Sequence, residues 1–232
     1  MRKLFDLQIL AEIAFVFAIM LSVKWTADSM ELIGAGSIAM WSGIIVATLL
    51  MKRRGAIWRD LGLKLPQGLR EWALTFGLTL VAVVTVIGFL GFVLPLINTQ
   101  FGLERAPDAL DRFEFFLGKP LYFLGYLVGV VWFGAALGEE LLMRGFLLNR
   151  LGDLFGQGTI GWSVALVVHA VIFGSLHAYQ GMPGMIGTGV VALIFGVIYL
   201  VSKRRLVPVI FAHGIINTIG LVGYYLSDGA IT

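Results

Sequence analysis

The chain has 232 residues, of which 59% are hydrophobic and only 13% charged, and its formal net charge is +3. Soluble domains carry about 25% charged residues, so this composition excludes an ordinary water-soluble globular protein and predicts that most of the surface faces lipid. The mean hydropathy of +0.92 indicates the same class. The sequence contains no cysteine, which excludes disulfides and thiolate metal sites.

Seven stretches are predicted to span the membrane, because each is close to the 20 or so apolar residues that a membrane helix needs. In chain order they are Leu7–Val23, Met30–Met51, Ala73–Ile97, Leu121 to about Arg150, Ile160–Ala178, Gly184–Val201 and Leu206–Leu226. The fifth and sixth are the clearest, since residues 154–202 contain no Asp, Glu, Lys or Arg. The predicted fold class is all-α, a polytopic transmembrane helical bundle with about seven spans and seven or eight helices.

The distribution of basic residues predicts the orientation of these spans. Lys and Arg cluster at the N-terminus and in segments 52–72, 144–159 and 202–205, whereas intervening loops such as 103–114 are neutral or acidic. Cytoplasmic loops are enriched in Lys and Arg, so we expect an integral membrane protein of a bacterial inner (cell) membrane with a cytoplasmic N-terminus. The positive charge then reflects topology and contact with the lipid bilayer, and no nucleic-acid partner is predicted.

Two features of the N-terminal half leave their interpretation open. The segment Lys52–Trp72 interleaves basic residues with Trp and Leu, a pattern that suits a segment lying on the headgroups and equally a solvated linker. Glu12 lies inside the first predicted span and is expected to reach the headgroups. The first span itself lacks a small-residue cleavage site and is predicted to remain in the protein as an uncleaved helix.

The helices of the second half carry three pairs of residues spaced by four, each with at least one polar member. The pairs are Glu140 and Arg144, preceded by Glu139; Phe173 and His177; and His213 and Asn217. Residues four apart share one face of a helix, so each pair can face the bundle interior. A carboxylate at the centre of a span costs about 2.5–3.5 kcal/mol and usually marks a site or pathway. We expect Arg144 to pair with one glutamate, which leaves the other to act as a general base.

Each pair also has a structural explanation when it is considered alone. The first can be a structural ion pair, His177 can be a hydrogen-bonded histidine of the bundle, and the third pair can join two helices. Their joint occurrence favours a functional site, because two of the chain's three histidines fall in such pairs. The third histidine, His169, lies two turns before His177 and about 80° around the helix, and is predicted to be structural.

The three motifs together resemble those of a known family. EELLMR fits E-E-x-x-x-R, FGSLH fits F-x-x-x-H, and HGIIN fits H-x-x-x-N. Their order and spacing are similar to those of the CPBP family of intramembrane proteases (CAAX proteases and bacteriocin-processing enzymes, the Rce1-like or ABI group). The resemblance covers residues 121–224. It implies a single integral membrane domain with peripheral N-terminal spans over residues 1–102 and catalytic core helices over residues 121–226.

This resemblance implies an intramembrane endopeptidase that hydrolyses peptide bonds of membrane-associated substrates. The implied catalytic residues form three groups: Glu139 and His177 to activate a water, His213 and Asn217 to stabilise the oxyanion, and Glu140 and Arg144 to orient the site and balance its charge. Phe173 would pack beside the site. The expected partner is a membrane-associated peptide or protein substrate, and no residue selects a prenylated CAAX substrate over others.

The cofactor requirement is left open by these residues. Two histidines and a carboxylate with an open position also describe a catalytic zinc site, so Glu139, His177 and His213 are possible ligands of a divalent metal such as zinc in a metalloprotease. No H-E-x-x-H motif is present, and these ligands come from three predicted helices. Both facts favour a glutamate-dependent hydrolase that requires no cofactor.

Two other functions fit the same composition. A non-proteolytic membrane scaffold or immunity protein could use this fold, although all motif residues are intact here. A transporter could use Glu139 and Glu140 as a proton relay, but the chain lacks repeated halves. Depth counting also raises a difficulty: His213 is about 10 Å inside the cytoplasmic face, whereas His177 is near the far end of its span. A distance above about 10 Å between His177 and Glu139 would exclude a shared site.

Overall fold

The structure, a computed structural model, describes residues 2–230, in which every regular element is a helix. Seven main helices follow one another in the described residues: α1 Arg2–Ser29, α2 Ala35–Arg53, α3 Gly68–Phe101, α4 Pro120–Phe155, α5 Thr159–Ser175, α6 Gly181–Val201 and α7 Val207–Leu226. A short 3₁₀ helix, Asp111–Phe116, precedes α4, and a 3₁₀ turn, Ala178–Gln180, leads into α6. The predicted all-α bundle is confirmed.

Six of these helices are long and apolar enough to cross a membrane, which indicates an integral membrane protein. The remaining one, α5, is apolar but has only 17 residues, fewer than the 20 or so of a typical span. It is shorter than predicted because its helix ends at Ser175, three residues before the apolar sequence does. The seven predicted spans therefore correspond to six long helices and one short apolar helix.

The helices α3 and α4 are longer than predicted, with 34 and 36 residues. Each contains a π-helical stretch, Phe89–Val93 in α3 and Leu127–Leu148 in α4. Backbone hydrogen bonds in such a stretch join residues five apart, and π-helical turns are rare and often found at functional sites. The EELLMR motif lies inside the longer stretch, so its residues follow π-helical and not the predicted α-helical geometry.

The central helix of the bundle is α4, which contacts α2, α5, α6 and α7. Around it, α1 pairs with α2, α5 pairs with α6, and α3 packs against α7 and α6. An unbroken run of α4 from Glu140 to Leu148 is buried, while many large apolar side chains on the outer faces of the bundle are exposed. This arrangement suits lipid as the surrounding solvent and places two charged residues of α4 at the centre of the packing.

The connection between α2 and α3 packs against the ends of several helices. Trp58 donates its ring N–H to the Thr48 hydroxyl at 2.9 Å, and its ring lies beside Gly145 of α4. The Tyr199 hydroxyl of α6 donates to the Leu61 carbonyl, also at 2.9 Å. The connection is therefore part of the folded bundle. It is neither a free solvated linker nor a segment that lies only on the headgroups.

Gly62 in this connection occupies a position that a larger residue would not fit. Its φ is +101°, and a Cβ built there would lie 1.9 Å from the Arg204 carbonyl oxygen. The Gly62 carbonyl accepts a hydrogen bond from Leu206 N at 3.0 Å. Close by, Arg205 pairs with Glu71 at 2.6 Å, and this hydrogen bond raises the pKa of Arg205. The turn before α7 is thus held against the start of α3.

Candidate active site

Glu140 and Arg144 lie on the buried side of α4, and both are fully removed from solvent. Arg144 Nη1 donates to Glu140 Oε1 at 2.9 Å, and His213 Nδ1 of α7 bonds to the same oxygen at 2.8 Å. Because an ionised carboxylate only accepts hydrogen bonds, Nδ1 of His213 carries the proton in this contact. One oxygen of Glu140 therefore orients both the guanidinium and the imidazole.

The Arg144 guanidinium is enclosed by two aromatic rings. Its central carbon lies 4.9 Å from the Phe173 ring centroid and 5.3 Å from that of Phe195. Within residues 2–230, its Nε and Nη2 have no hydrogen-bond partner. A desolvated cation–π contact is worth about 2 kcal/mol or more, so the two rings offset part of the cost of burying the charge. Phe195 also lies 5.7 Å from the His213 ring. Sequence analysis cannot identify this residue, since it is one aromatic residue in an apolar helix.

Glu139 lies beside this buried cluster with a partly exposed side chain, 19% accessible. Its Oε2 is 4.0 Å from Nε2 of His213. This distance is too long for a direct hydrogen bond, but it is close to the separation of about 4–5 Å between two atoms that share one hydrogen-bonded water. The structure thus brings Glu139, Glu140, Arg144 and His213 together.

His177 lies just beyond the end of α5, whereas it was predicted to be inside that helix. Its Nδ1 bonds to the Phe173 carbonyl oxygen at 2.9 Å, so Nδ1 carries the proton and Nε2 is left as an acceptor. The His177 and Phe173 ring centroids are 4.8 Å apart, and the Arg144 guanidinium carbon is 4.9 Å from the same Phe173 centroid. The imidazole and the guanidinium are therefore less than about 10 Å apart.

The second motif thus adjoins the first through Phe173. In the described part of the chain, His213 and not His177 is the histidine within 4.0 Å of the Glu139 carboxylate. Asn217 follows His213 by one turn of α7 and is partly buried, so the two residues share a face of that helix. The structure therefore brings Glu139, Glu140, Arg144 and His213 into one cluster and links His177 to it through Phe173, without a direct contact between His177 and Glu139.

The predicted metal ligands do not converge as a metal site would require. Over residues 2–230, no group of three or more His, Cys, Asp or Glu side chains is arranged to hold a metal ion. Nδ1 of each histidine is engaged, that of His213 by Glu140 and that of His177 by a backbone carbonyl, so only Nε2 of either ring could bind a metal. Because Glu139, His177 and His213 are not brought together as a ligand set, this arrangement does not support a metalloprotease.

The third histidine, His169, is fully buried in α5. Within the described residues neither of its ring nitrogens has a hydrogen-bond partner. Its ring lies 6.4 Å from that of Phe173 in a stacked arrangement. His169 therefore packs behind the aromatic ring that contacts Arg144, and the prediction of a structural role remains the simplest interpretation.

Asn149 supports the end of the helix that carries Arg144, and sequence reasoning missed it. Its side-chain Nδ2 lies 2.9 Å from the Arg144 carbonyl oxygen and 2.8 Å from that of Gly145. The same nitrogen is 2.8 Å from the Tyr199 hydroxyl, and its Oδ1 accepts from Arg204 at 3.1 Å. Buried Asn149 thus satisfies carbonyls where the π-helical stretch ends and connects α4 to α6.

Gly214 allows α7 to approach α4 next to His213. A Cβ at this position would lie 2.5 Å from the Trp132 ring. We expect Gly214→Ala to destabilise the detergent-solubilised protein by about 1–3 kcal/mol, as overpacking does, and to weaken the contact between His213 and Glu140. Gly220→Ala is the matched control, because it lies on the same helix with nothing within 4 Å of an added Cβ. Equal thermal unfolding of the two variants would contradict this expectation.

The comparison with known families concerns the same part of the chain. The family described as Rce1-like type II CAAX prenyl endopeptidase matches residues 121–219, from the first turns of α4 into α7. No curated protein and no solved structure matches the chain. The matched range contains all six predicted site residues, and a family of prenyl endopeptidases suggests a protease that acts on protein substrates. Residues 121–219 thus match an Rce1-like type II CAAX prenyl endopeptidase (CPBP) family domain.

Proposed function

We propose that the protein is an intramembrane endopeptidase that hydrolyses peptide bonds of membrane-associated substrates with a water activated by Glu139. The observation that carries this proposal is the 4.0 Å separation between Glu139 Oε2 and His213 Nε2. Hydrolysis needs a positioned water, a base within hydrogen-bond reach of its proton, and donors directed at the developing oxyanion. The residues around α4 supply each of these functions.

The water would lie between Glu139 and His213. Because Nδ1 of His213 donates to Glu140, Nε2 of the neutral ring is an acceptor. Two acceptors engage both hydrogens of one water, and a lone pair of its oxygen is then free to attack a carbonyl carbon. Glu139 takes the proton as attack proceeds. Glu140, neutralised by Arg144, holds His213 in this orientation.

His177 and Asn217 would complete the site. The Nε2 of His177 is also an acceptor, so it can share the proton transfer that the family resemblance implies for it. Asn217 carries an amide N–H₂ one turn from His213 and is the proposed donor to the oxyanion. Losing one such donor typically lowers the rate by about 10²–10³-fold.

The remaining parts of the chain follow from this assignment. The helices of residues 1–102 would be peripheral to the catalytic core of residues 121–226. The basic ends of the helices, including the connection between α2 and α3, would face the cytoplasm of a bacterial cell, with the site reached from within the inner membrane.

The proposal is tested with the full chain reconstituted in liposomes together with lipid-anchored peptides, both prenylated and unprenylated. We expect mass spectrometry to detect peptide fragments with the wild type and none above background with His177→Ala. His177→Ala should fold normally, because its only side-chain hydrogen bond in the described chain is to the carbonyl four residues earlier. Cleavage by His177→Ala at the wild-type rate, or no cleavage of any peptide by the wild type, would overturn the proposal. The second result would favour the non-proteolytic scaffold.

A further inference from the structure

A cleft between α1 and α2 lies apart from the candidate active site. It encloses about 410 Å³. Its lining is apolar at Ala11, Phe15 and Leu50 and polar at Gln8, Glu12, Arg53 and Arg54. Phe15 is 53% exposed, so this wall faces the surroundings of the bundle. The cleft therefore combines an apolar surface with two guanidinium groups.

The charges around the cleft leave an excess of positive charge. Glu12, expected to reach the headgroups, is instead buried; it forms an ion pair with Arg54, and its Oε2 lies 3.6 Å from Arg150 Nε. Arg150 also pairs with Asp153 at 3.0 Å. Arg53 is exposed and forms no ion pair among residues 2–230. The cleft therefore presents to a negatively charged ligand the Arg53 guanidinium, which has no ion pair in residues 2–230, and the Arg54 guanidinium, which Glu12 neutralises only in part.

The position of the cleft identifies the kind of ligand. Arg53 is the last residue of α2, at the end of the bundle where the basic residues cluster. On the other wall, α1 begins ten residues before Glu12, which corresponds to about 15 Å of helix. The guanidinium groups thus lie where the candidate span α2 ends, a position at which membrane helices reach the headgroups, while α1 extends farther on the same side.

We propose that this cleft is a binding site for one anionic phospholipid. The phosphate would bind Arg53 and the free N–H groups of Arg54, because guanidinium groups bind phosphate through short charge-assisted hydrogen bonds. An acyl chain would lie along Phe15 and Leu50. Gln8 would reach the polar part of the headgroup. A lipid bound here would contact both α1 and α2.

The test is native mass spectrometry of the full chain in detergent, with phosphatidylglycerol or phosphatidylcholine added. We expect one phosphatidylglycerol to bind more tightly than phosphatidylcholine. Arg53→Gln should weaken phosphatidylglycerol binding about fivefold, the effect of one basic residue near an anionic lipid. Lys52→Gln is the matched control, since Lys52 is exposed and basic but does not line the cleft, and its binding should equal that of the wild type.

Three results would overturn the proposal. Equal affinity for the two lipids would show that headgroup charge is not recognised. Equal weakening by Arg53→Gln and Lys52→Gln would assign the effect to diffuse surface charge. Displacement of the lipid by inorganic phosphate would show that the apolar wall contributes nothing and that the ligand is a free anion. Both variants should unfold at the wild-type temperature, which would exclude a loss of folded protein as the cause of weaker lipid binding.

Discussion

Glu139→Gln is expected to lower the rate of peptide cleavage by about 10²–10⁴-fold, the usual contribution of a general base. Glutamine has the shape of glutamate but cannot accept the proton of the attacking water. The thermal stability should stay that of the wild type, because Glu139 is partly exposed and its carboxylate is 4.0 Å from His213 Nε2, too far for a direct hydrogen bond. The loss should therefore appear in the rate of the chemical step and not in the amount of folded protein.

The measurement is single-turnover cleavage of a lipid-anchored peptide by the reconstituted protein, with thermal unfolding recorded on the same preparation. Glu104→Gln serves as the control, because it removes the charge of an exposed glutamate in the connection between α3 and α4. It should cleave at the wild-type rate. A wild-type rate in Glu139→Gln would exclude Glu139 as the base and with it the proposed mechanism.

Glu140→Ala is expected to destabilise the protein by about 3–5 kcal/mol, the cost of removing one partner of a buried ion pair. Arg144 would then remain fully buried with aromatic rings around it and no carboxylate bonded to it. The His213 ring would also lose the acceptor that orients it. We expect cleavage to fall below detection and the unfolding temperature in detergent to fall clearly.

The double variant Glu140→Leu with Arg144→Met separates the two effects. Replacing both members of a buried pair by apolar residues of similar volume is often neutral or stabilising, so most of the lost stability should return while cleavage remains absent. Arg105→Met, an exposed residue outside the bundle, is the control for removing one arginine. If the double variant unfolded as easily as Glu140→Ala, packing of Arg144 against its aromatic neighbours would be the main stabilising contribution.

The helices were predictable because few backbone conformations are stable in lipid. Backbone groups in the membrane must be bonded internally, so long apolar stretches become helices. The pairing of Glu140 with Arg144 was predictable for a related reason, since two opposite charges four residues apart in an apolar helix reach each other. Hydropathy could not show that α3 and α4 extend beyond their apolar segments or that α4 is π-helical.

Features that depend on contacts between helices could not be predicted from one sequence. Phe195 became relevant only because α6 brings it against Arg144, and Asn149 only because Tyr199 and Arg204 lie beside it. The end of α5 was misplaced by three residues because the sequence remains apolar after the helix stops. His177 therefore lies outside the helix in which the sequence predicts it, and counting residues along that helix does not give its distance from the other motifs.

The location of His177 outside a helix has a kinetic consequence. A residue inside α5 could change position only if several backbone hydrogen bonds broke together. The turn after α5 contacts the connection between α3 and α4 in two places. Ala106 N donates a hydrogen bond to the Gln180 carbonyl oxygen at 3.3 Å, and the Arg112 guanidinium lies 3.9 Å from the Tyr179 ring centroid. Segments with few such contacts open at low free energy. Five of the six proposed catalytic residues thus lie within helices, and the sixth, His177, lies in a turn whose rearrangement would not require a helix to unwind.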